Sequence, residues 1–276
     1  MADDLKAARE HLRRLTRHAA DQAEASFQKS VRPIYAVDKR SKPTQIGSSV
    51  LLEHNGQKLL VTAAHVIDHN EDSSLYIAGN GLIPLTGNFE LTVSPKGNRD
   101  HDRYDFAVGA LSSSLVSQLD GLKYIDSRTT VKAEEDISST YFTVLGYPNS
   151  KNKTPYNDTK HLKGYIYSYS NGHKFKPALA RMIGVSGEDH LFIDHKKLAR
   201  DEAGAKTFAI SPKGLSGGPI VQSADFSNRE VLLGKVQPVP RLAGITIRLF
   251  KRENALLGTR ISTILEGSGL GATAAN

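Results

Sequence analysis

The sequence predicts an all-β protein, built from two successive sets of short strands behind a single helix. Three observations predict it. Helical periodicity is confined to residues 3 to about 28. Beyond Val31 the apolar residues fall into short runs separated by turn signals. The turns draw on 23 glycines and 11 prolines, and 39% hydrophobic residues remain to fill a core. The 276 residues exceed one average domain, yet all-β units often run to about 200–250 residues.

The first element is the helix. Leu5, Ala8, Leu12, Leu15 and Ala19 recur at three- and four-residue steps, giving one apolar stripe. Asp3 and Asp4 complement the helix dipole at its start, while Arg13, Arg14 and Arg17 lie further along. The stripe serves either to pack on the chain's own barrel or to meet a regulatory protein partner. Residues 1–30 are read as this helical segment, and Pro33 ends it.

Strands follow. Ser48 to Leu52 and Lys58 to Val61 flank Asn55-Gly56, a strong hairpin signal, and the hairpin would carry His65 to a barrel rim. Phe89 to Val93 and Phe106 to Leu111 complete a first set over about residues 31–120. The serine- and charge-rich stretch from about 112 to 136 reads as a connector. A second set, about 136–265, starts near Ser139 and runs through Tyr165-Ile166-Tyr167, Leu191-Phe192-Ile193, Phe208-Ala209-Ile210 and Pro219-Ile220-Val221. Arg241 to Leu249 and Thr259 to Leu265 would close it, leaving 266–276 as a flexible tail.

Three motifs carry chemistry. Gly214-Leu215-Ser216-Gly217-Gly218-Pro219 suits a tight turn that exposes a hydroxyl and gathers backbone N–H groups. Leu60-Val61-Thr62-Ala63-Ala64-His65-Val66 places an imidazole where a buried strand ends. Tyr104-Asp105-Phe106-Ala107-Val108 embeds a carboxylate among apolar residues, where it needs a partner such as an imidazole N–H. The order His65, Asp105, Ser216 is one of the three known for a Ser-His-Asp triad. Asp100 and Asp102 lie in the polar run Asn98 to Arg103 and read as loop.

With these motifs in register, the chain resembles a trypsin-like (chymotrypsin-fold) serine peptidase, closest to the bacterial HtrA-like branch. TAAHV, DFAV and GLSGGP resemble the family's three catalytic motifs, and Gly146-Tyr147-Pro148 resembles a strand end of that branch. The likeness covers roughly residues 31–265. It implies two six-stranded antiparallel β-barrels and a serine endopeptidase forming an acyl-enzyme, with catalytic His65, Asp105 and Ser216. It also implies an oxyanion hole from the N–H groups of Gly214 and Ser216. By the same resemblance Ile210 falls at the base of the primary pocket, with Gly244, Thr246 and Gly258 or Thr259 on its walls. An isoleucine there disfavours cleavage after Lys or Arg and predicts a small or medium apolar residue before the cut bond. Zymogen-activated relatives carry an aspartate directly before the nucleophile; here that position is Leu215, so activation by a freshly cut N-terminus is not expected. The alternative is a catalytically idle or latent scaffold that binds peptides or partners.

Other classes fare worse. The chain has no cysteine and so no disulfide framework. No run approaches the roughly 18 apolar residues of a membrane helix, and Met1-Ala2-Asp3-Asp4 does not open a signal peptide. A bacterial cytoplasm is the expected location, with no membrane contact and no PDZ-type domain after the strands. His65, His69 and Asp68 could be read as metal ligands, but no further His/Cys cluster supports them, so no metal or cofactor is expected. The net charge of +7 raises nucleic acid as a partner. Lys151, Lys153, Lys160, Lys163, Lys174 and Lys176, with Tyr165, Tyr167 and Tyr169 interleaved, are the residues in question. They accompany no recognised motif, so protein or peptide is the expected substrate.

Overall fold

Residues Leu59, Leu60 and Val61 are all fully buried, which alternation along a half-exposed strand would not allow. In the computed structural model Leu59 and Val61 face a core shared by two sheets, whereas Leu60 points into the interior of the first. Both faces are covered, so the strand reads as a continuous apolar run. The structure describes residues 2–37, 42–79, 81–152, 164–196, 198–200, 205–208 and 210–269.

The first sheet contains β1 (Val31–Val37), β2 (Pro43–His54), β3 (Gln57–Thr62), β4 (Ser74–Gly79), β5 (Gly81–Pro84), β6 (Phe89–Leu91) and β7 (Ala107–Ala110). Their order is β5-β4-β1-β2-β3-β7-β6, antiparallel throughout, and the short β8 (Ile125–Asp126) adds to β2 in parallel. The second sheet contains β9 (Thr140–Gly146), β10 (Tyr167–Gly172), β11 (His190–Asp194), β14 (Pro219–Asp225), β15 (Arg241–Phe250) and β16 (Ala255–Arg260). Its order is β10-β9-β14-β15-β16-β11. A separate ribbon pairs β12 (Leu198–Arg200) with β13 (Lys206–Phe208). The fold is thus all-β with two curled antiparallel sheets, a chymotrypsin-like two-barrel arrangement. The hairpin β4–β5 brings the first sheet's path to seven strands where six were expected.

The N-terminal helix α1 (Ala2–Phe27) buries only its C-terminal half. Ala19, Ala23 and Phe27, four residues apart, lie on one face and are buried, while Leu5 and Leu12 stay exposed. Ala19 packs with Ala224 of the second sheet and Val231 of the short helix over 229–232, next to Tyr141 and Phe226. One 3-10 turn then leads into β1, so Pro33 lies inside a strand.

Four further helices are short: α2 (Ala64–Ile67), α3 (Ser113–Gln118), α4 (Pro177–Ile183) and α5 (Arg229–Leu232). The last, α6 (Ile261–Gly267), corrects the expected strand over Thr259 to Leu265, which ends at Arg260. Ile261 and Ile264 are the buried pair, at the i, i+3 spacing of a helix; their β-branched character masked it. Ser268 is buried after this helix, and the remaining tail from residue 270 lies outside the described residues.

Candidate active site

Strand β3 ends in the buried Thr62, whose hydroxyl donates to the Ser48 carbonyl at 2.7 Å. Ala63 stays extended, and the single turn α2 then turns His65 outward. The imidazole is 34% exposed, against 1% for the Asp105 side chain. Asp105 holds the histidine twice: its Oδ1 accepts the backbone N–H of His65 at 3.0 Å, and its Oδ2 lies 2.7 Å from Nδ1. The Asp105 carbonyl also accepts the N–H of Ala64 at 3.1 Å. An ionised carboxylate can only accept, so Nδ1 carries the proton and Nε2 keeps its lone pair for a base's work.

Asp105 sits at φ +43°, a left-handed conformation that costs a non-glycine residue energy. Its neighbour Asp102 supports it. Asp102 Oδ1 accepts the N–H groups of Tyr104 and Asp105, both at 3.0 Å. Asp102 Oδ2 meets Arg99 at 2.7 Å, and Arg99 also forks onto Asp68 with two bonds of 2.8 Å. These carboxylates, Asp68 foremost, hold the Arg99 guanidinium well above its usual pKa. With Asp68 engaged in this way, no group of three His, Cys, Asp or Glu among the described residues is placed to hold a metal.

Ser216 is half-buried at the tip of a loop that approaches the first sheet. Its carbonyl accepts the Ser48 N–H at 2.7 Å. Gly217, at φ +82°, has no room for a side chain: a Cβ would fall 2.1 Å from the Ser48 carbonyl and 2.1 Å from Thr62 Oγ1. Upstream, Leu215 N–H donates to the Pro212 carbonyl at 2.9 Å with Gly214 at φ +97°, which defines a type II turn. The Lys213 carbonyl is held by the Asn149 N–H at 2.9 Å. In a trans peptide the N–H points opposite to the C=O, so Gly214 N–H faces away from Asn149. Neither that N–H nor the N–H of Ser216 meets an acceptor among the described residues, and Ser216 Oγ makes no hydrogen bond among them.

His65 and Ser216 line one open cleft of about 460 Å³, together with Thr246, Ile247, Leu249 and Leu256. Of the residues expected in the primary pocket, Thr246 is there. Ile210 lies off the cleft wall, half-buried, with its backbone bonded to the Tyr167 phenol. Gly244 and Thr259 lie inside the sheet on adjacent strands, paired with Arg260 and Ile245, and the Thr259 hydroxyl donates to the Tyr104 carbonyl. The tyrosines do not form a platform: Tyr169 is buried with its hydroxyl on the Asp194 carbonyl, and Tyr165 lies outside β10. Lys153, Lys160 and Lys163 lie outside the described residues.

Sequence reasoning missed Ser48, Gln45, Arg99 and Asp102, all of which position the three motifs. Gln45 is legible only as a polar residue in a strand; its Nε2 donates to the carbonyls of Gly47 and Gly214 at 2.7 and 3.2 Å.

The two sheets and the cleft between them define a chymotrypsin-like fold. Among solved structures, the chain is similar to the HtrA-type protease AlgW, a serine-to-alanine variant with a tripeptide, at a TM-score of 0.50 and 13% identity. That alignment covers 90% of this chain, and the chain spans 61% of the AlgW chain. A thermostable serine protease, AL20, from an extremophilic microorganism aligns over 93% of this chain and 100% of its own at 13% identity and TM-score 0.46. A protease of M. tuberculosis in its active form aligns over 93% and 87% at 14% identity and TM-score 0.45. No protein-family model and no curated protein matches the sequence.

Proposed function

We propose that the chain is a serine endopeptidase that cuts peptide bonds through an acyl-enzyme on Ser216. The observation that carries this reading is the 2.7 Å contact between His65 Nδ1 and Asp105 Oδ2, with Ser216 on the same cleft. A serine hydroxyl is a weak nucleophile near neutral pH and needs a base beside it. His65 Nε2 takes the Ser216 proton as Oγ attacks the carbonyl carbon, and returns it to the leaving amine. Asp105 holds the ring and stabilises the imidazolium that forms in between. The free N–H groups of Gly214 and Ser216 receive the oxyanion; one such donor is typically worth about 3–4 kcal/mol at the transition state. Water then repeats the sequence to release the acyl group.

The apolar wall of Ile247, Leu249 and Leu256 supports a small or medium apolar residue before the cut bond. Leu215 is buried, and the type II turn is held by bonds within the chain. Both features support synthesis in active form. Intact-mass measurement of active protein tests this point: an obligatory cut near residues 30 to 40 refutes it.

A second reading, a latent or idle peptide-binding scaffold, draws on the absence of a hydrogen bond to Ser216 Oγ among the described residues. A fluorophosphonate probe decides between the two. Covalent labelling of the wild type, absent in Ser216→Ala, is expected; a folded wild type that stays unlabelled overturns the peptidase reading.

A further inference from the structure

The cleft carries more positive charge than its apolar wall accounts for. Among the described residues Arg99, Lys213, Arg248 and Lys251 line it, against a single carboxylate, Asp100. Arg99 is neutralised by Asp68 and Asp102. The other three are not. Arg248 donates to the backbone carbonyls of Asp100 and Arg99 at 2.8 and 3.1 Å, which fixes its guanidinium without cancelling its charge. Its one carboxylate neighbour among the described residues is Asp100, 3.9 Å away and 87% exposed, a contact worth little in water. Lys213 and Lys251 are exposed and enter no ion pair among the described residues.

Their places along the chain matter. The pairing of β14 with β15 ends at Ile245, so from Ile247 to Phe250 one edge of β15 meets no strand among the described residues beside the cleft. An extended peptide can add there as a further strand, its backbone bonding to the edge and its side chains meeting whatever flanks it. Arg248 lies within that open edge and Lys251 just past its end, while Lys213 immediately precedes Gly214 in the turn beside Ser216. A peptide seated for attack therefore passes cations both next to the reacting bond and several residues away from it.

We infer that this cleft selects acidic peptides, with Asp or Glu flanking the apolar residue at the cut bond, through Lys213, Arg248 and Lys251. The inference rests on the peptidase reading and supplies its substrate class. Segments rich in Lys or Arg are repelled by the same three charges. Phosphate chains would also be attracted, but among the described residues no Phe or Tyr lines the cleft to stack a base.

The test uses full-length Ser216→Ala, which binds without cutting, and two fluorescein-labelled peptides with the same apolar centre. One has Asp and Glu on both sides; the other has Asn and Gln at the same places. Anisotropy is expected to show the acidic peptide binding about tenfold tighter, equivalent to about 1.4 kcal/mol. The gap should close at about 0.5 M salt, where screening acts within a few ångströms. Lys251→Glu on the same background, remote from the turn, should reduce it to about twofold, and adding Lys213→Glu should invert it. Equal affinities, or a preference untouched by both substitutions, overturn the inference. So does a single-stranded oligonucleotide that displaces the acidic peptide at lower concentration than the unlabelled peptide does. Fluorophosphonate labelling of the wild type separates the two claims. Labelling without acidic preference sinks this inference alone, whereas an unlabelled protein sinks the peptidase reading and leaves the anisotropy result to judge the cleft.

Discussion

The Ser48 hydroxyl donates to the carbonyl of Gly214 at 2.8 Å, across 166 residues of sequence. The same oxygen accepts the Tyr147 N–H at 2.9 Å. The Ser48 backbone adds two more bonds, its N–H to the Ser216 carbonyl and its carbonyl to Thr62 Oγ1, both at 2.7 Å. One buried serine thus ties together the Ser216 loop, the end of β9 and the strand that presents His65. Ser48→Ala removes the hydroxyl from this junction and leaves Tyr147 N–H buried without its partner, at a cost of about 1–3 kcal/mol in stability. The Gly214 turn also loosens, leaving only Gln45 on its carbonyl. Steady-state kinetics should show kcat down at least about tenfold with KM little changed, as expected for a residue felt only in the transition state. A change confined to the urea midpoint would reduce Ser48 to a purely structural role.

Asp105→Asn keeps the shape of the carboxylate but can present an NH₂ to His65 Nδ1, favouring the wrong tautomer. A fall in kcat of about 10⁴-fold is the typical outcome of this change in a Ser-His-Asp triad. Far-UV circular dichroism should be unaltered. Activity within tenfold of wild type would remove Asp105 from the mechanism.

Gly214→Ala meets two obstacles. Its φ of +97° disfavours any Cβ, and the added methyl would sit 2.6 Å from Gln45 Oε1 and 2.7 Å from the Tyr147 carbonyl. Relief requires the Lys213–Gly214 peptide to flip, which points a carbonyl where the N–H had been. Fluorophosphonate labelling should slow by about 10²–10³, the usual cost of one lost oxyanion donor. An unchanged labelling rate would show that the donor lies elsewhere.

Burial holds the His190 imidazole below its ordinary pKa of 6.5, partly opposed by its hydrogen bond to the Arg103 carbonyl at 2.8 Å. His173 and His195 shift the same way, again chiefly through desolvation. The folded state resists these protons while the unfolded chain accepts them near 6.5. Stability is therefore complete above that pH and is lost as pH falls below it. Urea midpoints should be flat from about pH 8 to 7 and decline toward about pH 5. His190→Gln should flatten part of that decline, and parallel curves for the two proteins would remove His190 as a contributor.

The strands and the motifs around His65, Asp105 and Ser216 were legible because each is a short local pattern. Leu59-Leu60-Val61 before Thr62 and His65, or Asp105 before Phe106-Ala107-Val108, needs no distant information to be read. The residues that position them were not legible for the opposite reason. Ser48 looks like one serine in a strand, and its meaning lies in a loop 166 positions away. Asp102 and Arg99 sit in a polar run that is loop by composition, yet they support the strained backbone of Asp105. Of the pocket residues, Thr246 lines the cleft, while Ile210, Gly244 and Thr259 do not. Strand β15 shifts register between Thr246 and Arg248, and β14 between Ile220 and Val221, so offsets along the sequence do not map onto faces of the sheet. Gly244 and Thr259 accordingly fall inside the sheet, and Leu249 and Leu256 take the cleft.

Leu215 is 1% exposed and packs among Val131, Ile137, Val144 and Ile220. This point of the Ser216 loop is fastened by hydrocarbon rather than by a charge pair. Such an anchor carries no charge for counterions to screen and no proton to lose. Its grip comes from the entropy of water released on burial, a driving force that fades on cooling. Cold, rather than acid or salt, is the condition that slackens this anchor.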